Sequence, residues 1–309
     1  MLPSLKKNTY LYPHVAALIA VTAWGASFIA TKVLLNNGLS PVEIYIYRFL
    51  LAYLFTFLVC PKPFLSRNMR DELLFVLCGI CGGSVYFIAE NMAVTYTLVT
   101  NVSLLVTTSP LITIMLISLI YRSEKISKPF ILGSLIALLG VGLVIFNSSL
   151  QLQVNPIGDL LALLASVCWA VYSIILRPLS STYSSWFITR KTFFYGLITA
   201  LPFYFMEENP VDISVLIQKD VIMNLVFLGM FASMLAYLLW GESVKCLGAL
   251  KTGNYLYFCP IVTLILSAVI LKEGISFIGI TGCVMIIGGV ILGDRLGSSH
   301  SKTRQEARR

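Results

Sequence analysis

A polar stretch, residues 86–110, interrupts an otherwise apolar sequence and holds side chains that could bind a cation or form hydrogen bonds. Glu90 could hold a cation or a proton, Asn101 carries an amide, and Pro110 ends a run of serine and threonine hydroxyls. Polar groups inside a bilayer are costly unless paired, and those that persist often line a pathway. The alternative is a polar turn between two helices, with hydroxyls bonded to their own helix carbonyls. Glu90 and the 107–110 cluster fit a pathway better than a turn.

The composition places this stretch in an integral membrane protein. The chain has 309 residues, of which 58% are hydrophobic and 12% charged, with a mean hydropathy of +0.87. A soluble domain has about 25% charged residues, so the bulk of the chain is not one soluble core. The net charge of +8 does not indicate nucleic-acid binding, because the basic residues lie in short loops and in the tail.

The sequence lacks the side chains that most enzymes and metal sites require. Its two histidines, His14 and His300, lie near the chain ends, and it contains no H-E-x-x-H, G-x-S-x-G or P-loop motif. Cys78 and Cys81 form a C-x-x-C pair, but within an apolar segment they are typical of small buried residues. We therefore expect no enzyme activity, no metal and no cofactor.

The apolar runs predict an all-α protein with ten membrane-spanning helices. Ser40 and Glu43 have the spacing of a capping box, with Pro41 at the first helical position of the second span. Each run is near the roughly 20 residues that a bilayer requires. The predicted spans are 12–35, 44–59, 73–95, 98–121, 129–146, 157–176, 190–206, 222–242, 250–271 and 275–293.

Basic residues are distributed asymmetrically between the loops. On this assignment 18 of the 22 Lys and Arg side chains fall on one side of the membrane, including the loop 177–191 and the tail 294–309. The positive-inside rule then places both termini in the cytoplasm. The tail is expected to be disordered because it is short and polar.

The two halves of the chain resemble each other. Glu124–Val141 aligns with Glu273–Val290 at an offset of 149, and Ala17–Leu34 aligns with Ala162–Leu179 at an offset of 145. The matches include two glycine pairs, Gly133/Gly282 and Gly140/Gly289, and the pair Trp24/Trp169. Five spans per half is an odd number, so the second half would cross the membrane in the opposite sense. This arrangement is the inverted repeat of many secondary transporters.

Two prolines fall inside corresponding predicted spans. Pro110 lies in the fourth span and Pro260 in the ninth. Each removes a helical hydrogen bond, which gives either a tolerated kink or a broken helix at a binding site in the middle of the membrane. Their matched positions favour the binding site.

Several motifs, taken in order, resemble those of the drug/metabolite transporter superfamily, specifically an EamA-type ten-span permease. The resemblance covers roughly residues 14–293. The motifs that carry it are Trp24-Gly25-Ala26-Ser27-Phe28, Glu90-Asn91-Met92-Ala93 through Ser109-Pro110-Leu111, the stretch Gly158 to Ala165, and Pro260 followed by Lys272-Glu273-Gly274. It departs from the family at Cys259, where an acidic residue often precedes the proline.

The resemblance implies two EamA-type repeats, 12–147 and 157–293, in a multi-pass protein of the bacterial inner membrane. Such a protein is a permease, often an exporter, of amino acids or related small metabolites, working by alternating access. Its expected partners are a small-molecule substrate, membrane lipids and, as a candidate coupling ion, protons, with no nucleic acid and a monomeric chain. A membrane-embedded enzyme acting on a lipid or peptide, or a passive channel, are the alternatives.

The residue types and their predicted depths give two sets of candidate site residues. Aromatic and amide side chains that could line a central cavity are Trp24, Ser27, Asn101, Thr108, Tyr172, Asn254 and Tyr257, with Pro110 and Pro260 as helix kinks. Charged side chains near the two mouths could form exchangeable latches, Glu90 with Lys32 or Arg48 outside, and Glu242 with Arg177 or Arg190 inside. For these six, the alternative is interfacial snorkelling to lipid headgroups.

Overall fold

The fold was obtained as a computed structural model, which describes residues 5–61, 65–97, 99–120, 126–145, 155–207, 211–270 and 276–306. Within these ranges the chain is helical and contains no strand. A helix satisfies its own backbone hydrogen bonds, which a spanning segment in lipid needs. The α-helices are α1 Leu5–Asn36, α2 Pro41–Val59, α3 Met69–Gly79, α4 Val85–Tyr96, α5 Val99–Val106, α6 Ser109–Ile120, α7 Lys128–Ile145, α8 Pro156–Thr182, α9 Ser185–Phe205, α10 Ile213–Leu216, α11 Lys219–Val226, α12 Ala236–Leu247, α13 Ala249–Gly253, α14 Cys259–Ile270 and α15 Phe277–Glu306.

Seven helical segments in the described ranges are long and apolar enough to cross a membrane. Two shorter apolar helices, Lys128–Val144 and Phe277–Gly293, accompany them. The predicted span 190–206 falls within α9, whose first turns carry Arg190 and Lys191. The seven segments are Leu11–Asn36, Pro41–Val59, Met69–Tyr96, Val102–Ile120, Pro156–Thr182, Lys219–Leu247 and Ala249–Leu266.

The start of the second span agrees with the sequence-based prediction, whereas the tail and the start of α9 do not. Ser40 and Glu43 form the predicted capping box at the start of α2. The tail was expected to be disordered, but α15 continues to Glu306. That prediction was wrong because the tail extends a helix already begun at Phe277, and adding residues to an existing helix needs no new nucleus, even across the weak helix formers Gly297, Ser298 and Ser299. Arg190 and Lys191 were counted in the basic loop 177–191, which overlaps the start of the predicted span 190–206, whereas both are buried inside α9.

Two spanning segments contain a wide helical turn. The chain is π-helical at Ile80–Ser84, between α3 and α4, and again at Phe227–Leu235, between α11 and α12. At the first of these, Gly83 has non-helical dihedral angles, and the Gly82 carbonyl accepts a hydrogen bond from the Tyr237 hydroxyl. A π-turn interrupts the regular pattern of backbone hydrogen bonds in the helix, so some backbone carbonyls can accept hydrogen bonds from side chains instead. These turns lie beside the central aromatic cluster.

Helices α7 and α15 pack backbone to backbone through glycines. A Cβ atom built on Gly140 would lie 2.6 Å from the Gly282 carbonyl oxygen, and one built on Gly282 would lie 2.6 Å from the Gly140 oxygen. Gly133 and Gly289 form a second reciprocal contact, in which a Cβ on Gly289 would lie 2.5 Å from the Gly133 oxygen. Small residues let membrane helices approach this closely.

Aromatic side chains fill the centre of the bundle. The Trp24 ring lies 5.0 Å from the ring of Trp169 and 5.0 Å from that of Trp240, with Tyr237 at 6.0 Å. The Trp24 indole also donates a hydrogen bond of 2.8 Å to the carbonyl of Ala232, within the second π-helical turn. This cluster fixes one wall of the cavity described next.

Candidate functional site

A small cavity lies in the bundle centre where α1, α4, α6 and α8 meet. Its volume is about 40 Å³. Ligand sites are commonly about 300–1,000 Å³, so this one has room for a few waters only. Its lining residues are Trp24, Ser27, Phe28, Tyr86, Phe87, Glu90, Val106, Thr107, Ser109, Trp169, Leu256 and Cys259.

Glu90 is the only charged side chain among these lining residues. It is 9% exposed, and its Oε1 accepts a hydrogen bond of 3.1 Å from the Tyr86 hydroxyl one helical turn earlier. A carboxylate in an apolar site needs a cation or a proton for compensation, and intramembrane acidic residues usually mark a substrate or ion path. Glu90 can therefore bind a cationic group or a proton in this cavity.

Arg48 lies behind the cavity wall. Its guanidinium carbon is 4.6 Å from the ring centre of Phe87, and its Nε donates a hydrogen bond of 3.0 Å to Ser233. Arg48 and Glu90 are both described and do not form an ion pair. The Nη2 of Arg48 is buried and has no hydrogen-bond partner among the described residues. The aromatic ring of Phe87 thus lies against a buried positive charge on one side and borders the cavity that contains Glu90.

Two residues that line the cavity carry a buried hydrogen-bond donor with no partner in the described part of the chain. The donors are the Ser109 hydroxyl and the Trp169 indole nitrogen, on side chains that are 1% and 4% exposed. An unsatisfied buried polar group costs about 1–3 kcal/mol, and one in a native structure calls for a ligand, a water or another explanation. Both belong to residues that line the same cavity as Glu90.

The structure brings only two of the predicted cavity residues, Trp24 and Ser27, to this cavity. Thr108 faces α8, where its hydroxyl lies 2.9 Å from Ser166 Oγ. Tyr172 is packed inside the aromatic cluster, with its ring 5.2 Å from that of Trp169. The side chain of Asn101 lies outside the described residues.

The remaining two predicted cavity residues lie near the α7–α15 contact. Tyr257 is fully buried in a separate apolar cluster with residues of α7 and α15. Asn254 accepts a hydrogen bond of 3.1 Å from Ser134 and lines a second cavity of about 110 Å³. That cavity also includes His14, whose ring nitrogen is 2.5 Å from the Tyr255 hydroxyl. Its lining is completed by Phe130, Lys251, Val290 and Ile291.

The six predicted latch residues are not paired as proposed in this conformation. Lys32 is exposed, whereas Glu90 is buried against Tyr86. The partner of Glu242 is the Ser185 hydroxyl at 2.7 Å rather than an arginine. Arg177 is exposed, and Arg190 is buried and donates to the carbonyl of Cys60.

A different buried ion pair joins the two halves. Lys191 of α9 pairs with Glu72 of α3, and the Tyr195 hydroxyl donates to the same carboxylate. The Lys191 and Glu72 side chains are 1% and 14% exposed. No partner for Lys191 could be predicted from local sequence, because the pair connects residues 119 positions apart. This pair, rather than a predicted latch, holds α3 against α9.

Both prolines stand at the start of a new helix after a break. The fourth span is interrupted at Thr107 and Thr108, and α6 starts at Ser109 with Pro110 next. The ninth span passes through a 3₁₀ turn, Asn254–Phe258, before α14 starts at Cys259 with Pro260 next. The first break presents Thr107 and Ser109 to the cavity, and the second presents Leu256 and Cys259.

The predicted cavity set left out several lining residues. Tyr86 and Phe87 precede Glu90 by about one turn, and Thr107 and Ser109 flank Thr108 in the 107–110 cluster that was predicted to line a pathway. Trp169 was available as the repeat counterpart of Trp24. In the described ranges, no cluster of three or more His, Cys, Asp or Glu side chains could hold a metal ion.

Comparison with known proteins places the chain in a family. The model of the EamA-like transporter family matches residues 11–146 and again 156–293. The uncharacterized transporter YetK of Bacillus subtilis is 28% identical over 93% of this chain and 88% of its own. A probable terminal-alkyne amino-acid exporter of Streptantibioticus cattleyicolor is 24% identical over 91% of this chain and 92% of its own.

One solved crystal structure shares the fold. It has a TM-score of 0.75 at 17% identity and covers 93% of this chain and 98% of its own. Together with the apolar helices, the family match identifies a multi-pass membrane protein. The chain belongs to the EamA-like transporter family and is a membrane transporter rather than an enzyme.

Proposed function

We propose that the protein is a secondary transporter that exports amino acids or related small metabolites across the bacterial inner membrane by alternating access. The observation that carries the proposal is the small central cavity, whose lining residues supply one carboxylate, two buried donors without a partner among the described residues, and aromatic rings. A binding site between helices that is too small in this state for a metabolite suits a carrier that changes conformation to admit its solute. It does not suit a channel, which needs a continuous pore.

The proposed architecture is two inverted five-span repeats, residues 12–147 and 157–293, followed by the basic cytoplasmic tail 294–309. The glycine contacts support it. In the repeat alignment, Gly133 corresponds to Gly282 and Gly140 corresponds to Gly289. Exchanging each glycine for its counterpart therefore turns the Gly140–Gly282 contact into the Gly289–Gly133 contact. Both contacts are present and reciprocal, which is the behaviour of a two-fold axis. The contact of Trp24 with its counterpart Trp169 is of the same kind.

Transport would be tested with the purified protein in liposomes. Liposomes loaded with an unlabelled amino acid should take up the labelled form by counterflow, and the uptake should saturate. Flux that does not saturate would indicate a channel, and turnover without movement would indicate an enzyme. The name of the Streptantibioticus relative supports starting with amino acids.

The charge latches belong to the same proposal and would form in a conformation other than the one described. A charge pair present only in a closed mouth would bias the carrier, because separating a partly buried pair leaves uncompensated charge. Transport should be measured for Glu90→Gln, Lys32→Gln, the double neutral variant and the charge-swapped pair. If Glu90 acts only through its pairing with Lys32, the swap should recover activity lost in the single variants. If the single variants transport normally, or if the swap stays as inactive as Glu90→Gln, the outer latch does not exist.

A further inference from the structure

We propose that the central cavity binds an amino acid with an apolar side chain, and that different residues hold its amine and its carboxylate. Glu90 and the surrounding rings take the protonated amine, and Ser109 with Trp169 takes the carboxylate. This inference rests on the proposed function, since it names the solute chemistry of the same cavity. It goes further by giving each end of the solute its own residues and by excluding other classes of solute.

The amine end is assigned by charge and by the aromatic walls. Glu90 is the single charged lining residue, and its contact with the Tyr86 hydroxyl is a neutral hydrogen bond. The buried Arg48 stacks on Phe87 nearby but forms no direct ion pair with Glu90. The rings of Trp24, Tyr86 and Trp169 line the same space. Aromatic faces attract cations, and desolvation strengthens both this attraction and the one with a carboxylate. A protonated amine satisfies both features.

The carboxylate end is assigned by the two donors that have no acceptor. The Ser109 hydroxyl and the Trp169 indole N–H are buried, and neither has a partner in the described part of the chain. An indole N–H can only donate, so its partner must be an acceptor. A carboxylate offers two oxygens and accepts the stronger, charge-assisted hydrogen bonds. Both donors belong to residues that line the cavity, so one carboxylate could accept from both.

The rest of the lining excludes some solutes and favours others. No Lys, Arg or His occurs among the described lining residues, so a phosphorylated or multiply anionic solute would enter without a counter-charge. Phe28, Val106 and Leu256 complete the wall with apolar surface. The site therefore favours a solute in which the carbon that bears both charged groups also carries an apolar side chain, as in leucine. The helices must part to admit it.

The test distinguishes the amine site from the carboxylate site by removing one charged group from the ligand or one side-chain group from the protein. Binding to the purified full-length protein would be measured for leucine, for isopentylamine, which lacks the carboxylate, and for 4-methylvalerate, which lacks the amine. Wild type should bind leucine at least about tenfold more tightly than either truncated compound, because a site built for a polar group rejects an analogue that leaves it unpaired. Ser109→Ala should weaken leucine binding about tenfold and leave isopentylamine unchanged. Glu90→Gln should remove the preference for leucine over 4-methylvalerate.

Ser118→Ala is the matched control, since Ser118 lies on the same helix with its hydroxyl bonded to the Ile114 carbonyl. It should bind all three compounds as wild type does. Trp169→Phe removes the second donor and retains an aromatic ring. It should repeat the selective loss of leucine binding, and it replaces Ser109→Ala if that variant fails to fold.

Equal weakening of leucine and isopentylamine by Ser109→Ala and by Trp169→Phe would overturn the assignment. Failure of the wild type to bind leucine would also overturn it. Counterflow of a different solute would in that case leave the proposed function standing. Absence of counterflow for every solute in an amino-acid and metabolite panel would instead contradict the proposed function itself.

Discussion

The close backbone contact between α7 and α15 at Gly140 gives a prediction whose size follows from the coordinates. In Gly140→Ala, the new Cβ would lie 2.6 Å from the Gly282 oxygen and 2.8 Å from the Ile286 nitrogen. A carbon and a carbonyl oxygen approach to about 3.3 Å, so the two backbones must separate by roughly 0.7 Å. Overpacking of this kind costs about 1–3 kcal/mol, and backbone atoms cannot rotate away as side chains can. We expect Gly140→Ala to lose about 2 kcal/mol.

The same helix supplies the control. A Cβ on Gly142 meets no atom within 4 Å, so Gly142→Ala should gain up to about 1 kcal/mol from helix propensity alone. The two variants should differ by about 3 kcal/mol, which corresponds to roughly 6–12 °C in the midpoint of thermal unfolding. The midpoint can be followed by tryptophan fluorescence in detergent. Gly282→Ala should match Gly140→Ala, and Gly288→Ala should match Gly142→Ala. Equal midpoints for Gly140→Ala and Gly142→Ala would refute the close backbone contact.

Three further predictions concern topology, the buried ion pair and the cavity. A phosphatase fused to the C-terminus should be inactive in intact cells, because the tail is proposed to be cytoplasmic, and an active fusion would contradict this. Lys191→Met should lower the free energy of unfolding by about 1–2 kcal/mol, since the partly buried Glu72 carboxylate loses its counter-charge but keeps the donors of Tyr195 and Ser66; the double variant with Glu72→Gln should recover part of this in thermal unfolding, and an unrepaired double variant would argue against the pair. In a cysteine-free background, Ser27→Cys should react with a small hydrophilic thiol reagent and be protected by substrate, whereas Tyr257→Cys should not react; the opposite pattern would move the site to the α7–α15 cluster.

Much of the fold could be predicted because it follows from local patterns. Apolar runs of spanning length fixed the helical class, and Ser40 with Glu43 fixed the start of α2. Two prolines marked the helix starts at Ser109 and Cys259. The π-helical turns could not be predicted, since an apolar run can form α-helical turns or wider π-helical turns with the same composition. Burial of Arg190 and Lys191 was missed because it depends on partners from distant helices.

The site was predicted less well, for a geometrical reason. The sequence identified the polar cluster around Thr108. Successive side chains of a helix point about 100° apart, however, so composition alone does not predict which of them face the cavity. The break after Val106 turns Thr107 and Ser109 to the cavity and leaves Thr108 against α8. Asn254 and Tyr257 were chosen by residue type and lie elsewhere. Glu90 could be identified because a carboxylate within an apolar run is rare enough to stand out.

The small volume of the central cavity has a consequence for how ligand binding is measured. At about 40 Å³ the described conformation cannot hold a metabolite, so a solute binds only to those molecules that have already widened. The measured dissociation constant is then the intrinsic constant divided by the fraction of widened molecules. If roughly one molecule in a hundred is wide, binding looks about a hundredfold weaker than the contacts alone would give. Substitutions far from the solute that favour the wide form should therefore tighten binding without touching it, and a weak affinity in this protein does not imply poor complementarity.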